Sequence, residues 1–261
     1  MSESLRANQP PAGTINGTGG ARRSAMPAKA EIISHRHWLR PATPAAPTLH
    51  APPAPLRGLG VWEQRLKRTE DVAGALLALC VFALPMLLVA LAVRLDSSGP
   101  ILFRQYRTGL NNRDFVLLKF RTMQHAACDN LGGNQATRHD PRLTRLGAFL
   151  RRASLDELPQ LVNVLRGDMS LVGPRPHAPD TSAGGRLFPD VMPDYATRHV
   201  VKPGITGLAQ VRGLRGETRT EDALIRRVEA DFEYIRHWSL PLDVLILLRT
   251  AHCVLRMKNA Y

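Results

Sequence analysis

The chain is short of three things. It has 3 cysteines in 261 residues, which excludes a disulfide scaffold and a cysteine-rich zinc module. It is short of acid: 22 Asp+Glu stand against 35 Lys+Arg, a formal net charge of +13. That excess points to a polyanionic partner, which is nucleic acid, an anionic membrane surface or a phosphorylated substrate. It is also too poor in apolar residues, at 44%, to build a polytopic membrane protein from many spans of about 20 residues. The mean hydropathy of −0.16 is that of a soluble protein. No internal repeat is present. What remains is room for one domain of roughly 150–200 residues with appendages.

Position resolves what the averages hide. Residues 1–60 hold nine prolines and much Ala, Gly, Thr and Ser. This composition buries too little to offset its ordering entropy, and the segment reads as a disordered tail. It carries +5 of the +13 and has no consecutive apolar run that would serve as a signal peptide. Residues 72–93 are the opposite. From Val72 to Val93 no side chain is charged or strongly polar, Cys80 being the sole exception. As a helix these residues reach about 33 Å, enough to meet a hydrocarbon core of about 30 Å. A core helix would show a polar face, and this one has none.

Two details shape how that segment sits. Pro85 removes a backbone donor and disfavours helical geometry at Leu84, so a break is expected there, with arms over 72–84 and 86–93. Cations flank both ends: Arg65, Lys67 and Arg68 before it, Arg94, Arg104 and Arg107 after it. Positive charge marks the cytoplasmic side, so a helix that enters, breaks and returns to one face satisfies both observations. A kinked single span is the alternative.

Residues 97–261 read as a soluble catalytic part. Strands are expected over Ile101–Arg107 and Phe115–Arg121, joined by a turn at Gly109–Arg113. Helical spacing follows at Leu143, Leu146, Phe149 and Leu150. A second helix is expected from Ser154 to Leu165, stopping at Gly167. A third opens with a capping box at Thr218–Glu221 and carries Ile225, Val228, Phe232 and Ile235. A last helix contains Val244–Leu248, either core or membrane-interfacial. The expected class is α/β, mostly helical, divided into tail (1–60), re-entrant membrane helix (61–96) and catalytic domain (97–261), with short strands and amphipathic interfacial helices.

Four stretches carry chemistry, each with a plain alternative. In Arg151-Arg-Ala-Ser-Leu-Asp-Glu-Leu-Pro-Gln160, Asp156 and Glu157 open a helix shortly after two arginines. Ser154 and Glu157 alone fit a capping box. Together with the arginines and the helix start, a carboxylate here can act as nucleophile or hold Mg²⁺ beside a phosphate. In Gly173-Pro-Arg-Pro176, Arg175 lies between two prolines of fixed φ, which stiffens a residue suited to bidentate phosphate binding; a rigid surface turn is the alternative. In Phe115–Met123, Lys119 and Arg121 alternate with apolar residues and would share one strand face, unless that face is merely wet. In Lys202-Pro-Gly-Ile-Thr-Gly207, a tight turn lets backbone amides around Gly204 and Thr206 approach a ligand closely; a plain turn is the alternative. His125-x-x-Cys128 lacks a second ligand pair for zinc, and Cys80 and Cys253 sit in apolar runs as packing residues.

Taken in order, these stretches resemble the bacterial sugar transferases, the monotopic phosphoglycosyl transferases. The resemblance covers about residues 64–257. It runs through the proline-containing membrane segment, Lys-Phe-Arg-Thr-Met, Asp-Pro-Arg-Leu-Thr, Ser-Leu-Asp-Glu-Leu-Pro-Gln, Gly-Asp-Met-Ser-Leu-Val-Gly-Pro-Arg-Pro and Lys-Pro-Gly-Ile-Thr-Gly. Gly213–Thr218 and Tyr234–Leu240 look most like the branch that starts exopolysaccharide or capsule repeats with glucose or galactose phosphate. The sequence departs from the family at Leu84-Pro85, where Ser-Pro is usual, and at Leu208-Ala-Gln210, where Trp-Ala-Gln is usual.

The resemblance implies transfer of a hexose-1-phosphate from a UDP-sugar to undecaprenyl phosphate, with release of UMP. Asp156 would be the nucleophile and a Mg²⁺ ligand, and Glu157 its assistant. Lys119, Arg121, Arg151, Arg175, Gly204 and Thr206 would bind phosphate or substrate, and Pro85 would break the membrane helix. It also implies Mg²⁺ as cofactor, the inner membrane with the catalytic domain on its cytoplasmic face, and downstream glycosyltransferases as partners; a homo-oligomer stays open. Two rival classes are weighed. A nucleic-acid-binding protein would need a basic recognition module and would leave Val72–Val93 unexplained. A non-catalytic scaffold for polysaccharide assembly would have no use for paired acids beside phosphate-binding cations.

Overall fold

A computed structural model describes residues 56, 58–125, 140–214, 216 and 218–255. Most of the expected tail (1–55 and 57), Cys128 and parts of Gly213–Thr218 lie outside the described residues. Helix α1 (Val61–Asp96) has 36 residues, about 54 Å at 1.5 Å per residue. It runs through Pro85 without interruption, so the expected separation into two arms is not observed. Losing one amide donor bends a helix without ending it where the flanking turns hold, as lipid-facing helices often show. Only 11% of its most apolar 18-residue stretch is buried. Leu77, Val81, Leu84, Leu87 and Leu91 all point outward, which rules out a core helix.

The two ends of α1 are bolted to the rest of the chain by charge. Lys67 Nζ lies 2.9 Å from Asp243 and 3.2 Å from Asp71. Asp71 accepts from Ser170 Oγ and the Leu171 amide, both at 2.8 Å. Arg68 donates to the carbonyls of Val164 (2.6 Å) and Leu165 (2.7 Å). At the far end Arg121, 3% exposed, donates to Val93 O, Ser97 O and Pro100 O at 2.6–3.2 Å. Two of the three cations before the apolar segment are therefore internal braces as well as flanking charge.

After α1 the chain forms the expected antiparallel pair, β1 (Leu102–Thr108) and β2 (Asp114–Phe120), in register from Leu102↔Phe120 to Thr108↔Asp114. Helix α2 (Arg145–Arg152) starts at Thr144, whose side chain accepts from the Gly147 amide. The helix expected from Ser154 is instead a 3₁₀ turn over Leu155–Glu157 followed by α3 (Gln160–Arg166), which ends at Gly167 in the left-handed region, φ 91°. The Ser154 capping box does not form: Ser154 itself is left-handed, φ 56°, and makes no cap bond.

Strand β3 (Ser170–Val172) pairs in parallel with β6 (Gly204–Thr206). Between them lie the small hairpin β4 (Ser182–Ala183) and β5 (Arg186–Leu187), then α4 (Phe188–Val191) and a 3₁₀ stretch over Pro193–Val200. Helices α5 (Leu208–Val211), α6 (Glu221–Arg236) and α7 (Leu240–Leu255) complete the fold. The cap of α6 is Thr220 rather than Thr218. Its buried stripe is Leu224, Val228, Phe232 and Ile235, one residue off at its start. The main core joins Ala75 of α1, Leu117, Val164, Val172, these α6 residues and Ile246.

One side chain fastens α3 to the hairpin. Asn163, fully buried, accepts from the Leu118 amide at 3.0 Å and donates to Val116 O at 2.8 Å. It thus satisfies the unpaired edge of β2 as a further strand would. Asn163→Ala strands both backbone groups in the core. It is expected to cost about 3 kcal/mol and to lower the unfolding midpoint in detergent by roughly 10 °C; an unchanged midpoint would show that water replaces the amide at no cost.

Candidate active site

The fold brings four segments to one place. The 3₁₀ turn presents Asp156, 6% exposed, and Glu157. Strand β2, held by Asn163, delivers Lys119, whose Nζ is 3.2 Å from Glu157 Oε1. The Pro174-Arg175-Pro176 segment delivers Arg175, with Nη2 2.6 Å from Glu157 Oε1 and Nη1 3.4 Å from Oε2. Helix α2 brings Arg151 from the other side, anchored by Nε on Thr122 Oγ1 at 3.0 Å. That anchor depends on Gly147: a Cβ there would lie 1.9 Å from Thr122 O.

Electrostatics sort the roles. Burial pushes the Asp156 carboxyl up to about 6, the Glu157 charge adds to this, and Lys119 and Arg151 oppose it. It is still ionised at neutral pH, but it is a more basic and less solvated carboxylate than a surface one. Burial pulls Lys119 down, partly offset by Glu157. Glu157 pairs with both Lys119 and Arg175, whereas Asp156 makes no close ion pair with either among the described contacts. Arg175 keeps a third of its side chain open to solvent. Arg107 of β1, absent from the expected phosphate-binding set, belongs to the same field: burial and the nearby Arg175 lower it to about 10. Four cations thus surround two carboxylates, an imbalance that a diphosphate would cancel.

The donor set also bears on a metal. Among the described residues no group of three or more His, Cys, Asp or Glu side chains is arranged to hold a metal ion, so they form no all-protein cage. Mg²⁺ commonly takes one or two carboxylates and completes its shell with substrate phosphates and water. With Glu157 committed to cations, Asp156 beside a phosphorylated ligand fits that pattern.

The profile of the bacterial sugar transferases matches residues 62–257. This chain belongs to the bacterial sugar transferase family. It is 52% identical over 205 residues to the undecaprenyl-phosphate glucose phosphotransferase of Komagataeibacter xylinus, covering 78% of this chain and 38% of that protein. It is 53% identical over 195 residues to the UDP-glucose:undecaprenyl-phosphate glucose-1-phosphate transferase of Caulobacter vibrioides, covering 75% and 72%. The Escherichia coli protein of the same description is 46% identical over 207 residues, covering 79% and 43%. The chain therefore spans less than half the length of the Komagataeibacter and Escherichia relatives.

Not every residue expected to serve a sugar transferase site reaches it. Asp156, Glu157, Lys119, Arg151 and Arg175 converge. Arg121 does not: it lies just past the end of β2 and closes the C-terminus of α1. Gly204 and Thr206 pair with β3, and Thr206 Oγ1 meets Thr250 Oγ1 at 2.7 Å. The tight approach that reserves position 204 for glycine is to Gly173, whose amide nitrogen would be 2.1 Å from a Cβ. Of the two departures from the family pattern, Leu208 is 1% exposed in the core and Leu84 faces outward. Gly147→Ala forces α2 off Thr122. It is expected to destabilise the chain by about 2 kcal/mol and to impair any function that uses Arg151; wild-type unfolding in that variant would show that α2 shifts freely.

Proposed function

We propose that this sugar transferase moves a hexose-1-phosphate, glucose-1-phosphate first among the candidates, from a UDP-sugar to undecaprenyl phosphate, the first membrane step of exopolysaccharide repeat synthesis. The observation that carries the reading is Asp156, a buried and basic carboxylate beside a field with two more cations than acids. The names of the relatives support the donor and the acceptor.

In this reading Arg175, Lys119 and Arg107 receive the donor's diphosphate. At about 4 Å and an effective dielectric near 20, each cation–phosphate pair gains roughly 4 kcal/mol before desolvation. Asp156 Oδ attacks the sugar-bearing phosphorus, and the bond to the UMP oxygen breaks with its electron pair leaving on UMP. The resulting aspartyl phosphosugar is then attacked by the undecaprenyl phosphate oxygen, which frees Asp156 and forms the lipid diphosphate. Glu157 keeps Lys119 and Arg175 aligned through both steps. Bound Mg²⁺ would supply charge neutralisation on the diphosphate. Two carboxylates with no cations, or cations with no free carboxylate, would not support this sequence.

The membrane side of the proposal is that α1, continuous through Pro85, presents its outward leucines to the inner membrane, while the braces at both of its ends keep the catalytic part on the cytoplasmic face. Exposed apolar residues support interfacial contact elsewhere, namely Phe149 on α2 and Val244, Leu248 and Leu255 on α7.

Two measurements test the proposal. Membranes containing the chain should release UMP from UDP-glucose when undecaprenyl phosphate and Mg²⁺ are supplied. Asp156→Asn should reduce release to background while membrane association persists, and undiminished release would remove Asp156 as nucleophile. For topology, tags at Gly60 and at Tyr261 are expected to be protected together in sealed inside-in vesicles and labelled together after permeabilisation; labelling on opposite faces would establish a span instead.

A further inference from the structure

Arg198 is a large side chain with almost no exposure, 1%, and it stands behind the site rather than in it. Each of its three nitrogens donates to at least one acceptor. Nε and Nη2 reach Asp231 Oδ2 at 3.0 and 2.6 Å. Nη1 faces Tyr195 Oη and His177 Nδ1, both at 3.3 Å. The second Nη2 hydrogen goes to the backbone carbonyl of Arg175 at 2.7 Å.

That last bond gives the cluster its meaning. Pro174 and Pro176 each fix their own φ near −65°, so the freedom left to this segment lies largely in the Arg175 peptide units. Arg198 holds the carbonyl of one of them. His177, two residues beyond Arg175, has Nδ1 2.7 Å from Tyr195 Oη, and beside the buried guanidinium its imidazole is neutral. Burial followed by the Arg198 charge holds His177 well below its usual range, which agrees. Burying a guanidinium with its carboxylate is costly compared with packing apolar groups in the same volume. Here the pair does what an apolar pair cannot, since it grips a carbonyl.

We infer that Arg198 is a positioning residue for sugar-phosphate transfer: seated on Asp231 of α6, it fixes the Pro174-Arg175-Pro176 backbone and so aims the Arg175 guanidinium at the donor diphosphate. The inference rests on the phosphate-binding reading of Arg175 given above.

The test is a double-mutant cycle on UMP release from UDP-glucose, with the full chain in membranes. Arg198→Lys keeps the charge against Asp231 but lacks the planar fork that reaches Arg175 O at the same time. It is expected to raise KM for UDP-glucose about tenfold with kcat changed less than about threefold, and to add less than about twofold in an Arg175→Ala background. A loss of the same size in both backgrounds would overturn the inference, because a general weakening of the fold does not depend on Arg175. Should Arg198→Lys fail to fold, Asp231→Asn carries the same comparison, since it keeps the volume and one acceptor oxygen. A wild-type chain that releases no UMP refutes the transferase reading. An active wild type whose Arg198→Lys loss persists without Arg175 refutes this inference alone.

Discussion

The site hangs on the polar docking of α3, a helix of seven residues. Two turns of helix are far too short to hold together in water, so its position is set entirely by what grips it. Asn163 grips the open edge of β2, and Arg68 of α1 grips its last carbonyls. The turn carrying Asp156 and Glu157 is continuous with its N-terminus. Moving α3 would therefore move the carboxylates away from Lys119 on one side and from the membrane helix on the other. A hydrophobic contact would not do this, because it tolerates sliding, whereas two hydrogen bonds from one amide to one strand edge fix the register.

The same logic links the lipid-facing helix to the chemistry. The outward leucines of α1 decide that it meets lipid, but Lys67, Arg68 and Asp71 decide where the catalytic part sits relative to it. Breaking a buried pair such as Lys67–Asp243 leaves a stranded charge, which costs far more than the pair itself contributes. The position of the catalytic part relative to the lipid-facing helix is thus set by rigid polar joints at both ends of α1, with Arg121 serving the second. Under the proposed function, an acceptor headgroup at a fixed depth calls for such a joint more than for a flexible tether.

What was legible in the sequence follows the range of the interaction. The strands flanking Gly109–Arg113, helices α2, α6 and α7, and the Gly167 stop are local patterns, and they appear within a residue or two of where periodicity puts them. The carboxylate pair and Arg175 were legible through motif and resemblance. Asn163, Arg107 and Arg198 were not. Their roles depend on partners 45, 68 and 33 residues away, the last two being Arg175 and Asp231, and nothing in the neighbouring sequence marks them. Arg121, Gly204 and Thr206 were assigned to substrate because cations near strands and glycines in turns are equally suited to ligands and to chain contacts; only the tertiary pairing distinguishes them. The Ser154 capping box failed for a sharper reason. A left-handed residue cannot present its hydroxyl to the N3 amide, and that conformation is what turns Asp156 and Glu157 to the cations.

The competition at Asp156 explains why the cations are distributed as they are. A carboxylate nucleophile must be desolvated to be reactive, and desolvation alone would protonate it. A cation in direct contact would keep it ionised but would also occupy its lone pairs. The arrangement separates the two effects. Glu157 takes the direct contacts of Lys119 and Arg175, while Asp156 receives their field from farther away, together with that of Arg151. Burial wins by enough to raise the carboxyl to about 6 and not by enough to protonate it at neutral pH. The adjacent acid is then best understood as a decoy for the cations, which among the described residues leaves Asp156 without a direct ion pair, as the proposed attack on phosphorus requires.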